Sequence, residues 1–351
     1  MTTLTLTRQA VLKLGSAALA MALVSGAATA QEYTLRLHQF LPAQASVPAH
    51  ILDPWADRIE EASGGRIEIE RYPAMQLGGA PPQLIDQVID GTVDIVWTLP
   101  GYTPGRFPRT EVFELPFMMT GGNAEATSRA YWQLGEETMM DADFADVHVL
   151  GLWVHGPGVI HSSTPIETVD DLAGVKLRAP TRTTNMMFSA LGATAIGMPV
   201  PAVPEALSQG VIDATVIPWE VTTALRVAEL VEYHTEFGDE ALYTATFVLA
   251  MNPDSYAALP EDLQAIIDAE SGLEFSAMAG RVMQEYDVPG REMAEDRGNT
   301  ITTLDDAQLA EWRAAAEPTV QAWIDETTAG GIDGAALVER ARALIAENLG
   351  N

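Results

Sequence analysis

No cysteine occurs in the 351 residues. Disulfide staples, thiolate metal sites and thiol nucleophiles are therefore excluded. Lysine is almost as scarce, at Lys13 and Lys176 only. Nineteen Lys and Arg face 49 Asp and Glu, a formal net charge of -30 at pH 7. Such a field repels nucleic-acid backbones and anionic lipid surfaces. Any cation in a binding site must then be mainly arginine. Catalytic signatures are missing too. There is no G-x-S-x-G, no H-E-x-x-H and no G-x-x-x-x-G-K-[ST], and Gly156-Pro157-Gly158 lacks the last glycine of a dinucleotide fingerprint. Acidic residues are too common for any pair to signal acid–base work. No two histidines have ligand spacing on one helix face, so neither a metal nor a cofactor is expected. Beyond the N-terminus no apolar run approaches the roughly 20 residues of a membrane span.

The N-terminus holds the one short apolar run. Arg8 and Lys13 precede Leu14 to Val24, and Ala28-Thr29-Ala30 follows. These are the three parts of a secretory signal, with cleavage expected after Ala30 and the mature protein expected in the periplasm. Gln9 stands where a twin-arginine signal has its second arginine, so export of the unfolded chain is expected. The length predicts about two domains. Tyr33 to Phe40 alternates as a strand, Pro48 to Ala62 reads as a helix, and Arg66 to Tyr72 as a second strand. A short helix over 81–90 and a buried strand over 93–98 complete a βαβαβ pattern, which argues a mostly parallel sheet. Residues 100–116, rich in Pro, Gly and aromatics, read as a loop leaving a strand end, where open α/β sheets bind ligands. A helix over 125–141 and a strand over 147–154 follow. A second α/β unit has strands near 160, 175–179 and 214–217, with helices near 182–191 and 203–209. A helical stretch is expected from Pro260 to about Asp296, interrupted at Pro289-Gly290. Two helices, 305–327 and 333–348, close the chain.

Several short stretches in order resemble one family. They are Arg71-Tyr72-Pro73-Ala74-Met75-Gln76-Leu77-Gly78, Gly91-Thr92-Val93-Asp94-Ile95, and Asp171-Leu172-Ala173-Gly174-Val175-Lys176-Leu177-Arg178-Ala179-Pro180. Leu191-Gly192-Ala193 and Glu205 to Ala214 follow at matching spacing. Together they resemble the DctP-like substrate-binding subunits of tripartite ATP-independent periplasmic (TRAP) transporters. The resemblance implies an α/β, two-lobed periplasmic binding protein of the class II type. It has hinge strands and a long helix spanning both lobes. Residues 31–154 with about 244–283 would form lobe I, and 155–243 with about 284–351 lobe II. The implied function is capture of a small organic acid and delivery to a small and a large membrane subunit. An ABC-type or sensory binding protein is the alternative, and a periplasmic hydrolase a remote one.

The resemblance also places the anchor. In the family, the arginine at Arg178 contacts the cargo carboxylate, and its planar fork suits that group. Many members carry a further arginine where Gly158 stands here. Metal-assisting polar residues give way to Val216 and Ile217, and Ala202-Val203-Pro204 replaces a more polar triplet. A monocarboxylate with an apolar or aromatic body is therefore expected. Trp97, Tyr102, Trp153 and Trp219 sit at strand ends or in the loops after them, and are expected to line the site. Any one such aromatic is more often a core residue. Arg106 is a candidate second cation. His38, His155 and His161 are candidate hydrogen-bond donors to the ligand.

Overall fold

The computed structural model describes residues 31–350. The expected export segment and its cleavage point lie outside the described residues. Strands run β1 Tyr33–His38, β2 Ile67–Tyr72, β3 Ile95–Thr98, β4 His148–Val154, β5 Val159–Ser162, β6 Lys176–Ala179, β7 Thr194–Gly197, β8 Ala214–Ile217, β9 Tyr233–Glu236, β10 Thr246–Met251 and β11 Thr300–Thr303. The α-helices are α1 Asp53–Ala62, α2 Leu84–Ile89, α3 Ala124–Thr138, α4 Arg182–Ala190, α5 Val203–Ser208, α6 Trp219–Leu225, α7 Pro253–Ala257, α8 Glu261–Ala269, α9 Leu273–Glu285, α10 Asp287–Asp296, α11 Asp306–Ala329 and α12 Gly334–Leu349.

Two sheets result, one in each lobe. The first has the order β2-β1-β3-β10-β4, the second β11-β9-β5-β8-β6-β7. β1, β2 and β3 are parallel, and β10 runs antiparallel between β3 and β4. Every residue of β10 is buried. Its Thr-Phe-Val-Leu-Ala-Met run has no alternation because it is covered on both faces, so its period announces neither strand nor helix. In the second sheet β6 pairs in parallel with β7 and β8, while β5 runs antiparallel to β8 and β9. The chain passes between lobes at residues 155–158 and 237–245, and again where α9 gives way to α10.

That last crossing corrects one expected boundary. The interruption falls at Tyr286, not at Pro289-Gly290. Pro289 lacks an N–H, and its ring clashes with the carbonyl four residues back. A helix carrying it must restart just ahead of it, and Pro289 becomes the third residue of α10, where no intrahelical N–H bond is required. α9 packs on α3 and β4 of lobe I, and α10 on α6 of lobe II. A second break separates α8 from α9 at Gly272, whose φ is 84°.

The C-terminal helices do not stay with lobe II. On α11, Trp312 Nε1 donates to Glu167 O in lobe II at 3.1 Å. Farther along, Trp323 Nε1 donates to Glu111 Oε2 in lobe I at 2.9 Å. α12 then packs on α3, where Arg340 forks onto the Glu137 carboxylate at 2.6 and 2.9 Å. An apolar face of α12, with Leu337, Ala341, Leu344 and Ile345 buried, is what returns it to lobe I. Among the described residues no helix is long and apolar enough to cross a membrane.

Candidate ligand-binding site

Between the lobes lies a small cavity of about 40 Å³, lined by residues of both. Its first wall is aromatic. Trp97 ends β3, with Phe40 stacked on it at 4.5 Å between ring centroids and Phe247 at 5.3 Å. Phe247 sits on β10 opposite Trp153, with Leu249 opposite Trp97. Phe247 and Trp97 are thus diagonal neighbours on one face, within reach of large rings.

The second wall carries the charge. Arg178, on β6 between β7 and β8, is 1% exposed. Its Nε donates to Met198 O at 2.9 Å and Nη1 to Val216 O at 3.1 Å. Nη2 is buried and has no hydrogen-bond partner among the described residues. Burial pulls its pKa below the ordinary arginine value, the Tyr102 and Tyr243 phenols opposing this. The guanidinium remains charged throughout the working range. Two backbone carbonyls therefore hold the guanidinium at the cavity lining and leave its Nη2 unpaired. An unpaired guanidinium N–H of this kind is able to donate to a carboxylate.

Tyr102, in the loop after β3, lines the same cavity, and its hydroxyl oxygen accepts the Val200 N–H at 3.0 Å across the cleft. His155 lines it too. Its Nδ1–H donates to Gly156 O at 2.5 Å and its Nε2 accepts from Ala245 N–H at 3.0 Å. Burial lowers its pKa to about 4. The ring is neutral, and both nitrogens serve the hinge, not the cargo.

The other expected lining residues lie elsewhere. Trp153 backs the wall instead of forming it, parallel to Trp97 at 6.4 Å and hydrogen-bonded to Met283 Sδ at 3.3 Å. Trp219 begins α6 on the face away from the cavity and donates to Glu236 Oε1 at 2.8 Å. His38 Nδ1 meets Gln87 Oε1 at 2.7 Å, and its Nε2 accepts the Leu77 N–H at 3.3 Å, which fixes the turn after β2. Arg106 is a surface residue paired with Asp86 at 2.5 Å. His161 is buried against His234, Nδ1 to Nδ1 2.7 Å, outside the cavity lining.

Among the lining residues that escaped the sequence reading are Phe40, Phe247, Tyr243 and Glu220. Tyr243 explains Gly158. A Cβ there would lie 2.0 Å from Tyr243 Cε1, so a neutral phenol ring fills the space beside that glycine. Glu220 followed a strand end and an aromatic, the only cue it offered. Among the described residues no group of three or more His, Asp or Glu is placed to hold a metal.

Comparison with known proteins agrees with this geometry. The family model for DctP, bacterial extracellular solute-binding protein family 7, matches residues 41–327. The fold superposes on a TRAP solute-binding protein from Rhodoferax ferrireducens solved with copurified benzoate, with a TM-score of 0.88 and 51% identity, covering 90% of this chain and 98% of that one. A marine metagenome TRAP solute-binding protein specific for aromatic acid ligands, solved with 3-hydroxybenzoate, gives a TM-score of 0.88 and 45% identity, over 91% and 99% of the two chains. A Comamonas testosteroni protein described as an outer membrane transporter protein is 29% identical over 92% of this chain and 94% of its own length. A two-lobed α/β frame, a buried arginine in the cleft between the lobes and a family match over most of the length converge on one conclusion: the chain belongs to the DctP family of TRAP solute-binding proteins.

Proposed function

We propose that the protein captures an aromatic monocarboxylate in the periplasm and hands it to the small and large membrane subunits of a TRAP transporter. The observation that carries the cargo class is the free edge of Arg178. Among the described residues it is the one lysine or arginine lining the cavity, whose other lining side chains, Glu220 apart, are rings and aliphatic groups. A single fork matches a single carboxylate. The ring of Tyr243 beside Gly158 leaves no second positive group for a dicarboxylate. Stacked Phe40, Trp97 and Phe247 offer flat apolar surface to a ring. The benzoate and 3-hydroxybenzoate held by the two relatives support the same class.

Closure follows from the ligand's greater affinity for the closed form. The carboxylate neutralises a buried charge that is costly to leave unpaired. Removal after residue 30, periplasmic residence and the absence of catalysis belong to the same proposal. A catalytic reading would need a nucleophile or a working acid–base pair, and the histidine in the cavity has both nitrogens committed.

Isothermal titration of benzoate, mandelate and succinate tests this reading. Benzoate or mandelate binding tightly, with succinate weak, is the expected result; the reverse order defeats it. Arg178→Ala is expected to cost at least about 100-fold in affinity, the scale of breaking a buried charge pair. Arg178→Lys keeps charge but loses the fork, and is expected to remain well below wild type.

A further inference from the structure

An apolar sleeve with one arginine does not explain Glu220. This residue, the second of α6, lines the cavity and is 4% exposed. Its backbone N–H donates to Asp287 Oδ1 at 2.8 Å. Its Oε1 is hydrogen-bonded to the Ser46 hydroxyl of the facing lobe. No protein hydrogen bond reaches its Oε2 among the described residues, and that oxygen is not one of the atoms sealed from solvent. Glu114 Oε2, by contrast, is sealed. Glu220 Oε2 therefore carries no protein hydrogen bond, on a residue that lines the cavity.

We propose that Glu220 is a specificity-determining residue that reads a hydroxyl on the ring of the cargo. This role rests on the aromatic-acid reading above and follows from hydrogen-bond pairing. A plain ring laid against Oε2 would leave a buried polar atom unsatisfied. A second carboxylate on the cargo would meet Glu220 with no cation to match it, since Arg178 alone lines the cavity as a positive group. A hydroxyl both donates and accepts, so it suits this carboxyl whichever of its oxygens carries a proton. Burial and the neighbouring Asp287 carboxyl favour the protonated form.

Both side chains line the same cavity. Arg178 Nη1 is tied to Val216 O, and Glu220 follows Val216 by four residues along the chain. Four residues span at most about 14 Å, an upper bound that keeps Glu220 near the strand to which Arg178 is tied; the cargo seats its carboxylate on Arg178 and its hydroxyl on Glu220. Seated so, the hydroxyl would touch the side chain that also bridges the lobes through Ser46, and recognition of the substituent would be tied to the closed arrangement.

Titration of benzoate, 3-hydroxybenzoate and 4-hydroxybenzoate into the wild-type protein, Glu220→Gln and Glu220→Leu tests the assignment. The better hydroxybenzoate is expected to bind wild type at least about tenfold more tightly than benzoate. Glu220→Gln, which keeps a carbonyl and a donor, is expected to retain a preference. Glu220→Leu is expected to bring the ratio to about one or below. Equal binding of benzoate and both hydroxybenzoates by wild type overturns the inference and leaves the aromatic-acid reading standing. A wild-type ratio that survives in Glu220→Leu overturns it as well. If none of the three acids binds wild type, both readings fall together. Should Glu220→Leu not fold, Glu220→Ala takes its place, with the same loss of the ratio expected and a surviving ratio again overturning the inference.

Discussion

Asp287 shows how far one buried carboxyl can shape the response to pH. It is the first residue of α10, and it accepts the Glu220 N–H on the far side of the cavity wall. Burial, with Glu236 adding to it, raises its pKa from 3.8 to about 7, while the backbone donors of Glu220 and Trp219 oppose the rise. A raised carboxyl means that the folded state holds the proton more tightly than the unfolded state. Stability is then full below about pH 4 and is lost as pH rises toward 7. The size is of the order of 4 kcal/mol at most. Asp287→Asn removes this loss while keeping an acceptor for the N–H. Melting curves at pH 5 and pH 8 are expected to show a smaller drop in Tm for Asp287→Asn than for wild type. His155, held neutral with a pKa lowered to about 4, acts in the opposite sense, losing stability as pH falls below 6.5. The comparison therefore needs the variant and not wild type alone.

At the scale of elements, the α9–α10 break and the seat of α10 on α6 decide where Glu220 and Asp287 meet. Gly290 permits that seat. A Cβ there would stand 2.1 Å from the Trp219 backbone oxygen, and backbone cannot swing aside as a side-chain tip can. Gly290→Ala is expected to cost about 1–3 kcal/mol by overpacking, read as a lower Tm. An unchanged melting temperature would show that α10 can shift without cost. In the sequence, Pro289-Gly290 marked an interruption; the structure separates the two roles. Pro289 sets where the second helix begins, and Gly290 sets how near it comes to its neighbour. β9, β10 and β11 carried no readable period. β10 is covered on both faces, and β9 and β11 are short strands whose partners lie far off in sequence, β9 pairing antiparallel with β5 and parallel with β11.

For the whole molecule, function depends on contacts that exist only when the lobes meet. Tyr102 from lobe I accepts the Val200 N–H of lobe II, and Ser46 reaches Glu220. Tyr102→Phe removes the first of these without changing the shape of the wall. The expected result is a loss of affinity of roughly 2- to 10-fold, the worth of one net hydrogen bond, appearing mainly as faster ligand dissociation. Stopped-flow release of the bound acid measures it; an unchanged dissociation rate would mean that the bond adds nothing to closure. Arg182 makes a different kind of contact. It joins Glu111 of lobe I at 3.0 Å to Glu326 of α11 at 2.7 Å, beside the Trp323 contact that straps α11 across the lobes.

Local chemistry was legible without the fold. The two α/β units follow from alternation and turn residues, because strand and helix periods are set by nearest neighbours along the chain. Arg178, the proposed carboxylate anchor, was legible because it stood in a stretch resembling one family, in a chain with only two lysines. What surrounds the anchor was not. Trp97 and Trp153 read alike in sequence, yet one lines the cavity and the other backs it, since register across β10 chooses between them. Glu220 and Trp219 are adjacent, but successive residues on a helix point about 100° apart, and only packing against α10 tells which faces the cleft. The return of α12 to lobe I and the meeting of Ser46 with Glu220 join residues far apart in sequence. Long-range burial, not local preference, decides such contacts, and it turned a scatter of aromatics and one arginine into a single site.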